Sequence, residues 1–331
     1  MTKKNRKLRI ASVLDGTPGH EKQTLAVIGA LSRRVETDVA RVRVRKKSAF
    51  QTVKSFLLLA AGRFSPPGGL KGRAFPDIII GTGSSTHLPM LHLKGKSRAK
   101  AVTCMTPDFF IRKKMDLCLV PAHDGTRPGK NIFFTQGPPC GPGLSGKHDK
   151  GRGLVLVGGT DPKSHVWDSG DVLRRIENIF EKEPHVRWTV SSSPRTPAET
   201  EEGLAALAGR FENAVFFSWK DTPRGWVERV CAESFRAWIT ADSVSMAYEA
   251  LAAGCRLGII PVKWKKRSSK IQKSVDGLLE GGLADSCEAW LSGTLPPENI
   301  PAGNIPDRAP GALNEAGRCA EEILRRWGRG S

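Results

Sequence analysis

Thr240-Ala-Asp-Ser-Val-Ser-Met-Ala-Tyr-Glu-Ala-Leu-Ala-Ala-Gly-Cys-Arg-Leu-Gly-Ile-Ile-Pro261 is the stretch that decides the fold of this 331-residue chain. It begins on the end of an apolar strand, Phe235 to Thr240, and passes through a Ser-rich turn into a short helix. Asp242 and Ser243 are good N-cap residues, and Gly254 stands where a helix C-cap belongs. Leu257 to Val262 is apolar enough for a parallel strand buried on both faces. The unit is therefore β-turn-α-β. The unpaired N–H groups and the dipole of a helix N-terminus favour an anion there, and Ser243 and Ser245 add hydroxyl donors. Glu249, one to two turns deeper, suits a carboxylate that accepts hydrogen bonds from ribose hydroxyls. The same residues also describe an ordinary capped βαβ unit.

Working outward, the second half repeats this alternation. Leu154-Val-Leu-Val157 is a strand, followed by Gly158-Gly-Thr-Asp161 and a helix from about Ser169 to Lys182. Val186 to Ser191 leads into Ser192-Ser-Pro-Arg-Thr-Pro197, where Arg195 is a candidate phosphate contact. Helices over Glu199–Ala208 and Arg224–Glu233 flank a strand at Ala214–Phe217. Lys263-Trp-Lys-Lys-Arg-Ser-Ser-Lys270 is the one strongly basic run of this half. Helices near Ile271–Glu280 and Ala312–Trp327 follow, separated by the Pro-rich stretch Pro296 to Pro310.

The first half has the same grammar. Leu8 to Leu14 is a strand, and Asp15-Gly-Thr-Pro-Gly-His20 is a turn before a helix from about Glu21 to Ser32. A Gly-containing turn at this position usually faces ligand in an α/β domain. His20 there suits a general base or a phosphate contact, although a lone His is also a common structural residue. GxGxxG is absent, so the dinucleotide fingerprint is not present. Pro76 to Ile80 ends in a second Gly/Ser loop, Gly81-Thr-Gly-Ser-Ser-Thr-His87, before a helix over Leu88–Leu93. Strands at Ala101–Met105 and Leu117–Val120 end at Asp108 and at His123–Asp124. These loops direct His20, His87, Asp108, His123 and Asp124 to one sheet edge. No metal-ligand spacing accompanies them, so no metal is expected.

Net charge is +19 and unevenly placed: residues 1–150 hold 28 Lys/Arg against 9 Asp/Glu, and residues 151–331 hold 24 against 24. An anionic partner touching the first half alone is the simplest reason. Arg41-Val-Arg-Val-Arg-Lys-Lys47 precedes an apolar segment, Ser48 to Gly62, with partly helical spacing. Basic flanks on an apolar helix fit either an interfacial membrane element or a core helix with solvated ends. Nucleic acid is not expected, because no binding module is present and Tyr248 is the only tyrosine. Seven cysteines without CxxC spacing point to a reducing compartment. A signal peptide and a membrane span are not expected either.

Several motifs resemble a known family. Asp15, Gly16, Gly19, His20 and Gln23 match an Asp-Gly-x-x-Gly-His-x-x-Gln opening. Pro121, His123 and Asp124 match Pro-x-His-Asp, and Thr240 through Ala250 match Thr-x-Asp-Ser-Val-Ser-Met-x-x-Glu-Ala. The set is similar to the mitochondrial-fission-protein-like family of glycosyltransferases of GT-B fold, in a bacterial member. Where that family would read Ser-Arg-Arg-Thr-Pro, this chain has Ser193-Pro-Arg-Thr-Pro197, so Arg195 is the only guanidinium there.

The resemblance implies two Rossmann-like α/β domains facing across a cleft, with the C-terminal helix crossing back. The expected segments are 1–140, an acceptor- or membrane-facing domain; 141–153, a Gly/Pro-rich linker; 154–310, a nucleotide-sugar domain; and 311–331, the returning helix. It implies a nucleotide sugar, UDP-type favoured, as donor substrate, with no cofactor or metal. Gly158, Gly159, Thr160, Arg195, Asp242, Ser243, Ser245 and Met246 would surround the phosphates, and Glu249 would hold the ribose. His20 would be the base and Asp108 the second candidate. Asp15, Gly16, Gly19, Gly81, Gly83, Ser84, His123 and Asp124 would form the acceptor-side loops. The first half also resembles the peptidoglycan N-acetylglucosaminyltransferase, which acts on a lipid-linked acceptor. A cytoplasmic protein peripheral on the inner membrane follows as the expectation. A non-catalytic membrane-associated protein of the same shape and a nucleotide-sugar epimerase remain open beside it.

Overall fold

The structure is a computed structural model that describes residues 7–44, 74–140, 148–265, 269–294 and 313–328. The apolar segment at 48–62, most of the linker and the Pro-rich stretch at 296–310 lie outside the described residues. The chain divides into two compact units, Met1–Gly141 with Asn314–Ser331, and Pro142–Leu313.

The first unit is a six-stranded parallel sheet. Its strands are β1 (Leu8–Leu14), β2 (Thr37–Arg43), β3 (Ile78–Gly81), β4 (Lys100–Cys104), β5 (Leu117–Pro121) and β6 (Ile132–Thr135), in the order β2-β1-β3-β4-β5-β6. Its helices are α1 (Pro18–Ser32), α2 (Ser84–Lys96) and the single turn α3 (Phe109–Arg112). Successive side chains of a strand face opposite sides, so each apolar run feeds two cores. Ile78, Ile80, Leu117 and Leu119 face one side, while Ile79, Cys118 and Val120 face the other with Met90 and Leu93 of α2.

Both helices start earlier than their apolar patterns suggest. Proline is tolerated at the first helical position because its missing N–H would have no partner there. Pro18 therefore opens α1 and places His20 in its first turn. Ser84 opens α2 immediately after Gly83, whose φ is +93°. The first core is completed from the far end of the chain. The last helix, Glu315–Trp327, contributes Ala316, Cys319, Ala320 and Ile323 to the face that α1 covers. Arg34 pairs with Glu321 at 2.6 Å, and the Gln136 N–H donates to Glu315 at 3.1 Å.

The second unit is also a six-stranded parallel sheet, in the order β10-β9-β7-β11-β12-β14. The strands are β7 (Asp149–Leu156), β9 (Arg187–Ser191), β10 (Ala214–Phe217), β11 (Ser234–Thr240), β12 (Arg256–Ile260) and β14 (Ala284–Ser286). A two-stranded antiparallel ribbon joins β8 (His165–Val166) to β13 (Lys263–Trp264). The helices are α4 (Ser169–Lys182), α5 (Ala198–Arg210), α6 (Trp226–Glu233), α7 (Val244–Ala253), α8 (Lys270–Glu280) and α9 (Cys287–Leu291), and the last helix, Glu315–Trp327, becomes α10. β7 starts at Asp149 rather than Leu154, because backbone pairing with β11 and β9 extends into the polar, glycine-rich segment. Two cross-strand pairs set the core: Gly153 opposite Trp188 and Gly258 opposite Trp238. A β-carbon at either glycine would lie within 2.3 Å of the indole, so glycine makes room for each ring.

Candidate functional site

In a parallel sheet the ligand crevice opens at the carboxyl edge where the winding direction reverses. In the second unit β7 has β9 on one side and β11 on the other, so the loops after these three strands meet there. Gly158 and Gly159 follow β7, and Asp242 and Ser243 follow β11. The Gly158 N–H donates to Thr240 Oγ1 at 2.7 Å and the Gly159 N–H to Asp242 Oδ2 at 3.1 Å. A β-carbon on Gly158 would lie 2.1 Å from Asp242 Oδ2, and one on Gly159 would lie 2.0 Å from the Arg195 carbonyl oxygen. Neither position accepts a side chain.

Arg195 arrives from the loop after β9. Its Nη2 donates to Asp242 Oδ2 at 2.7 Å and to Ser243 Oγ at 3.2 Å, while 43% of its side chain stays exposed. The Asp242 carboxylate is almost wholly enclosed, and Oδ2 also accepts from the Ser243 hydroxyl at 3.1 Å. Its Oδ1 is buried with no hydrogen-bond partner, an uncommon state for a buried acceptor. Ser243 is the N-cap of α7, yet its side chain makes no capping bond because it turns to Asp242. The first-turn N–H groups of α7 thus receive no side-chain acceptor from their own cap. Ser245 is exposed at this helix start, with Met246 and Glu249 half-buried, and Ser245 and Glu249, one turn apart, share a helix face. The negative charge of Glu249 also reaches the Cys231 thiol on α6.

Residues not named as site candidates hold this arrangement. Ser193 Oγ donates to the Gly158 carbonyl at 2.8 Å, and Thr196 Oγ1 donates to the same oxygen. His165 Nε2 meets the Gly159 carbonyl at 2.9 Å. Thr160 is exposed, with its N–H on the Arg195 carbonyl at 3.0 Å. The clustering of Ser and Thr around Arg195 was a visible signal. His165 gave none, being one isolated histidine.

The first unit repeats the logic at the reversal between β1 and β3. Asp15 is buried, and its Oδ2 lies 2.9 Å from His20 Nδ1. Burial pushes the Asp15 carboxyl up, but hydrogen bonds from His20 and Thr17 outweigh it and hold the group below the usual aspartate range. An ionised carboxylate only accepts, so Nδ1 carries the shared proton, and in that tautomer Nε2 is the nitrogen able to accept. Gly83 closes over this pair: a β-carbon there would lie 2.3 Å from His20 Nδ1 and 3.1 Å from Asp15 Oδ2. Gly81 packs below, with Met90 Sδ 2.8 Å from where its β-carbon would be. A β-carbon would meet nothing within 4 Å at either Gly16 or Gly19, but Gly16 takes a φ of +77° in an exposed turn. Ser84 is exposed at the start of α2.

His87 lies under the loops, buried, with Nε2 3.3 Å from Thr103 Oγ1. Burial pushes its pKa down to about 4, with the Asp108 charge opposing and the His20 charge adding to the fall. His87 is therefore neutral at physiological pH. Asp108 stands exposed at the N-cap of α3. Asp124 is tied to Thr106 Oγ1 at 2.5 Å, and His123 is half-buried beside it in the turn Ala122–Asp124. The structure thus joins Asp15, His20 and Gly83 directly. Asp108 and the His123–Asp124 turn occupy the neighbouring strand ends.

Among the described residues no group of three His, Cys, Asp or Glu is placed to hold a metal ion. No helix among them is long and apolar enough to cross a membrane.

Comparison with solved structures gives the fold. The chain is similar to a protein from Listeria monocytogenes assigned as a UDP-N-acetylglucosamine 2-epimerase, with a TM-score of 0.60 at 12% identity over 96% of this chain and 95% of that one. It is similar to the UDP-GlcNAc 2-epimerase of Methanocaldococcus jannaschii, with a TM-score of 0.54 at 12% identity over 97% and 100%. It is also similar to S. aureus MnaA in a co-structure with UDP, with a TM-score of 0.51 at 10% identity over 96% and 95%. These likenesses establish the GT-B fold, which glycosyltransferases and such epimerases share. No curated protein matches the sequence. The family model for mitochondrial fission ELM1 matches residues 18–327, and the chain belongs to that family.

Proposed function

We propose that this protein is a glycosyltransferase that takes a sugar from a UDP-type nucleotide sugar and places it on a lipid-linked or envelope acceptor at the cytoplasmic membrane face. One observation carries the reading: at the reversal point of the second sheet, two side-chain-free residues, an exposed guanidinium and an uncapped helix start converge. That combination suits a diphosphate. Gly158 and Gly159 let Asp242, Ser243 and the Arg195 backbone close up against the loop after β7, Thr160 stands exposed beside them, and Arg195 supplies charge. Ser245 and Met246 flank the helix start, and Glu249 accepts from the ribose. The first unit is the acceptor side in this reading, and the second the donor side.

In the reaction, His20 Nε2 takes the proton of an acceptor hydroxyl while Asp15 stabilises the charged ring. The acceptor oxygen bonds to the sugar's anomeric carbon as the bond to the diphosphate breaks. Arg195 and the α7 N-terminus hold the charge that leaves, so no step requires a metal or other cofactor.

Thermal melting against UDP, GDP, CMP and ADP and their sugars tests the donor site. Stabilisation by one nucleotide, lost in Glu249→Ala and Arg195→Met, is the expected result. No shift with any nucleotide would reject it. Turnover of the sugar nucleotide without any acceptor would instead establish an epimerase.

A further inference from the structure

At the carboxyl edge of the first sheet, β4 runs out into an exposed apolar surface that holds three of the four exposed large hydrophobic residues among the described residues of that unit. Met105 leaves the strand with a φ of +133°, a conformation that non-glycine residues rarely adopt, and its side chain is exposed. Such strain persists only where surrounding structure imposes it. Asp108 follows, and then Phe109 and Phe110 with 52% and 74% of their surface in solvent.

The rings do not hang from a loose loop. Asn131 Nδ2 donates to the Arg112 carbonyl at 2.8 Å and to the Met115 carbonyl at 2.9 Å, which clamps the end of α3. Ile111 and Met115 pack into the core beneath. The Phe109 and Phe110 rings meet edge to face with centroids 5.7 Å apart. Burying Ile111 and Met115 in this anchored turn leaves the two rings facing outward.

Two cations stand against the Phe109 ring. Lys113 Nζ lies 4.3 Å from the Phe109 ring centroid and the Arg112 guanidinium 5.5 Å from it, with Lys114 next in sequence. An aqueous surface has no use for two clamped phenyl rings between such charges. An anionic bilayer has use for both: rings enter the headgroup–acyl boundary, and ammonium and guanidinium groups meet lipid phosphates. The charge excess of residues 1–150 has the same sign.

We propose that Phe109 and Phe110, with Arg112 and Lys113 set against the Phe109 ring, are the insertion point that seats this chain on an anionic lipid surface. The proposal deepens the membrane-facing part of the function above and rests on it. It also gives that part an address: the insertion point begins one residue after Asp108 and lies at the sheet edge that carries His20. A lipid-linked acceptor would reach that edge from the bilayer without leaving it.

Co-sedimentation of the full chain with vesicles tests it, comparing phosphatidylcholine alone with phosphatidylcholine–phosphatidylglycerol mixtures. The wild-type chain binds the mixed vesicles and not the neutral ones, and added salt weakens binding. Phe109→Ser with Phe110→Ser lowers the partition coefficient about tenfold or more, since each ring loses a buried position. Both rings are exposed, so the melting temperature of this variant stays at the wild-type value and serves as the folding control. Arg112→Gln with Lys113→Gln lowers binding to mixed vesicles and removes part of the salt dependence. Equal binding by the double Ser variant would overturn the insertion point while leaving the membrane-facing reading intact. No binding of the wild-type chain to either vesicle would overturn both. A concentration-dependent dimer, by sedimentation velocity, that the Ser changes abolish would assign the rings to a second copy of the chain and overturn the lipid assignment.

Discussion

Arg195 and Asp242 stand 47 residues apart in sequence and meet at 2.7 Å where the second sheet reverses its winding. The pair is asymmetric: the carboxylate is enclosed and the guanidinium is half in solvent. Removing the guanidinium leaves a buried charge with only the Gly159 N–H and Ser243 hydroxyl as donors. Arg195→Met should therefore cost about 1–2 kcal/mol of stability, less than a fully buried pair because solvent already screens the arginine. Nucleotide affinity should fall about 10- to 100-fold, the loss of one charge-assisted contact. Urea denaturation and titration calorimetry with UDP check the two effects. Asp242→Asn added to Arg195→Met should recover part of the stability and none of the affinity.

Gly83 is required for two reasons: its φ of +93°, and the 2.3 Å that would separate an added β-carbon from His20 Nδ1. Gly83→Ala should destabilise the chain by about 1–3 kcal/mol and drive the imidazole off Asp15. Gly19→Ala is the control: nothing lies within 4 Å, and a helical position favours alanine, so stability should hold or rise by about 0.5–1 kcal/mol. Thermal melts of both variants decide it, with a histidine NMR titration following His20.

His87 makes stability depend on pH. Its folded pKa, near 4, lies below the ordinary value of 6.5. Between those values the unfolded chain binds a proton that the folded chain does not, so stability falls as pH falls through that window. The contribution is fully present above pH 6.5, and about 2 kcal/mol of it should vanish between pH 7 and pH 5. His87→Gln keeps a neutral polar group beside Thr103 and should flatten that part of the curve. Urea midpoints at the two pH values measure the difference. An unchanged slope in the variant would remove His87 as its source.

Ile323 belongs to the last helix but is fully buried in the core of the first unit. Ile323→Ala should cost about 2–4 kcal/mol by leaving a cavity against the sheet. Nucleotide affinity should stay at the wild-type value, because every residue assigned to the donor site lies in the other unit. Calorimetric unfolding with and without UDP separates the two effects.

Much of the architecture was open to reading because its determinants are local. Runs such as Ile78–Ile80 and Leu117–Val120 are apolar at every position, which parallel strands covered on both faces require. Helix caps and glycines punctuate them, so the α/β alternation and the loops at one sheet edge follow from neighbours in sequence. The limits are equally physical. α1 and α2 start early because proline and serine are tolerated in a first turn, where apolar periodicity has not yet begun. β6, β14 and the β8–β13 ribbon are too short or too polar to carry a pattern of their own.

The amino-acid sequence determined the kinds of groups present: a histidine after the first strand, a pair of glycines after β7, a serine-rich start to α7, and a basic first half. Tertiary structure decided which of them touch. Strand order brings the loop after β9 beside those after β7 and β11, so Arg195 finds Asp242. It sets β1 next to β3, so Gly83 closes on His20 and Asp15. It returns the last helix to the first core. Each of these contacts joins residues far apart in the chain, and strand pairing together with burial, rather than any local preference, selects them.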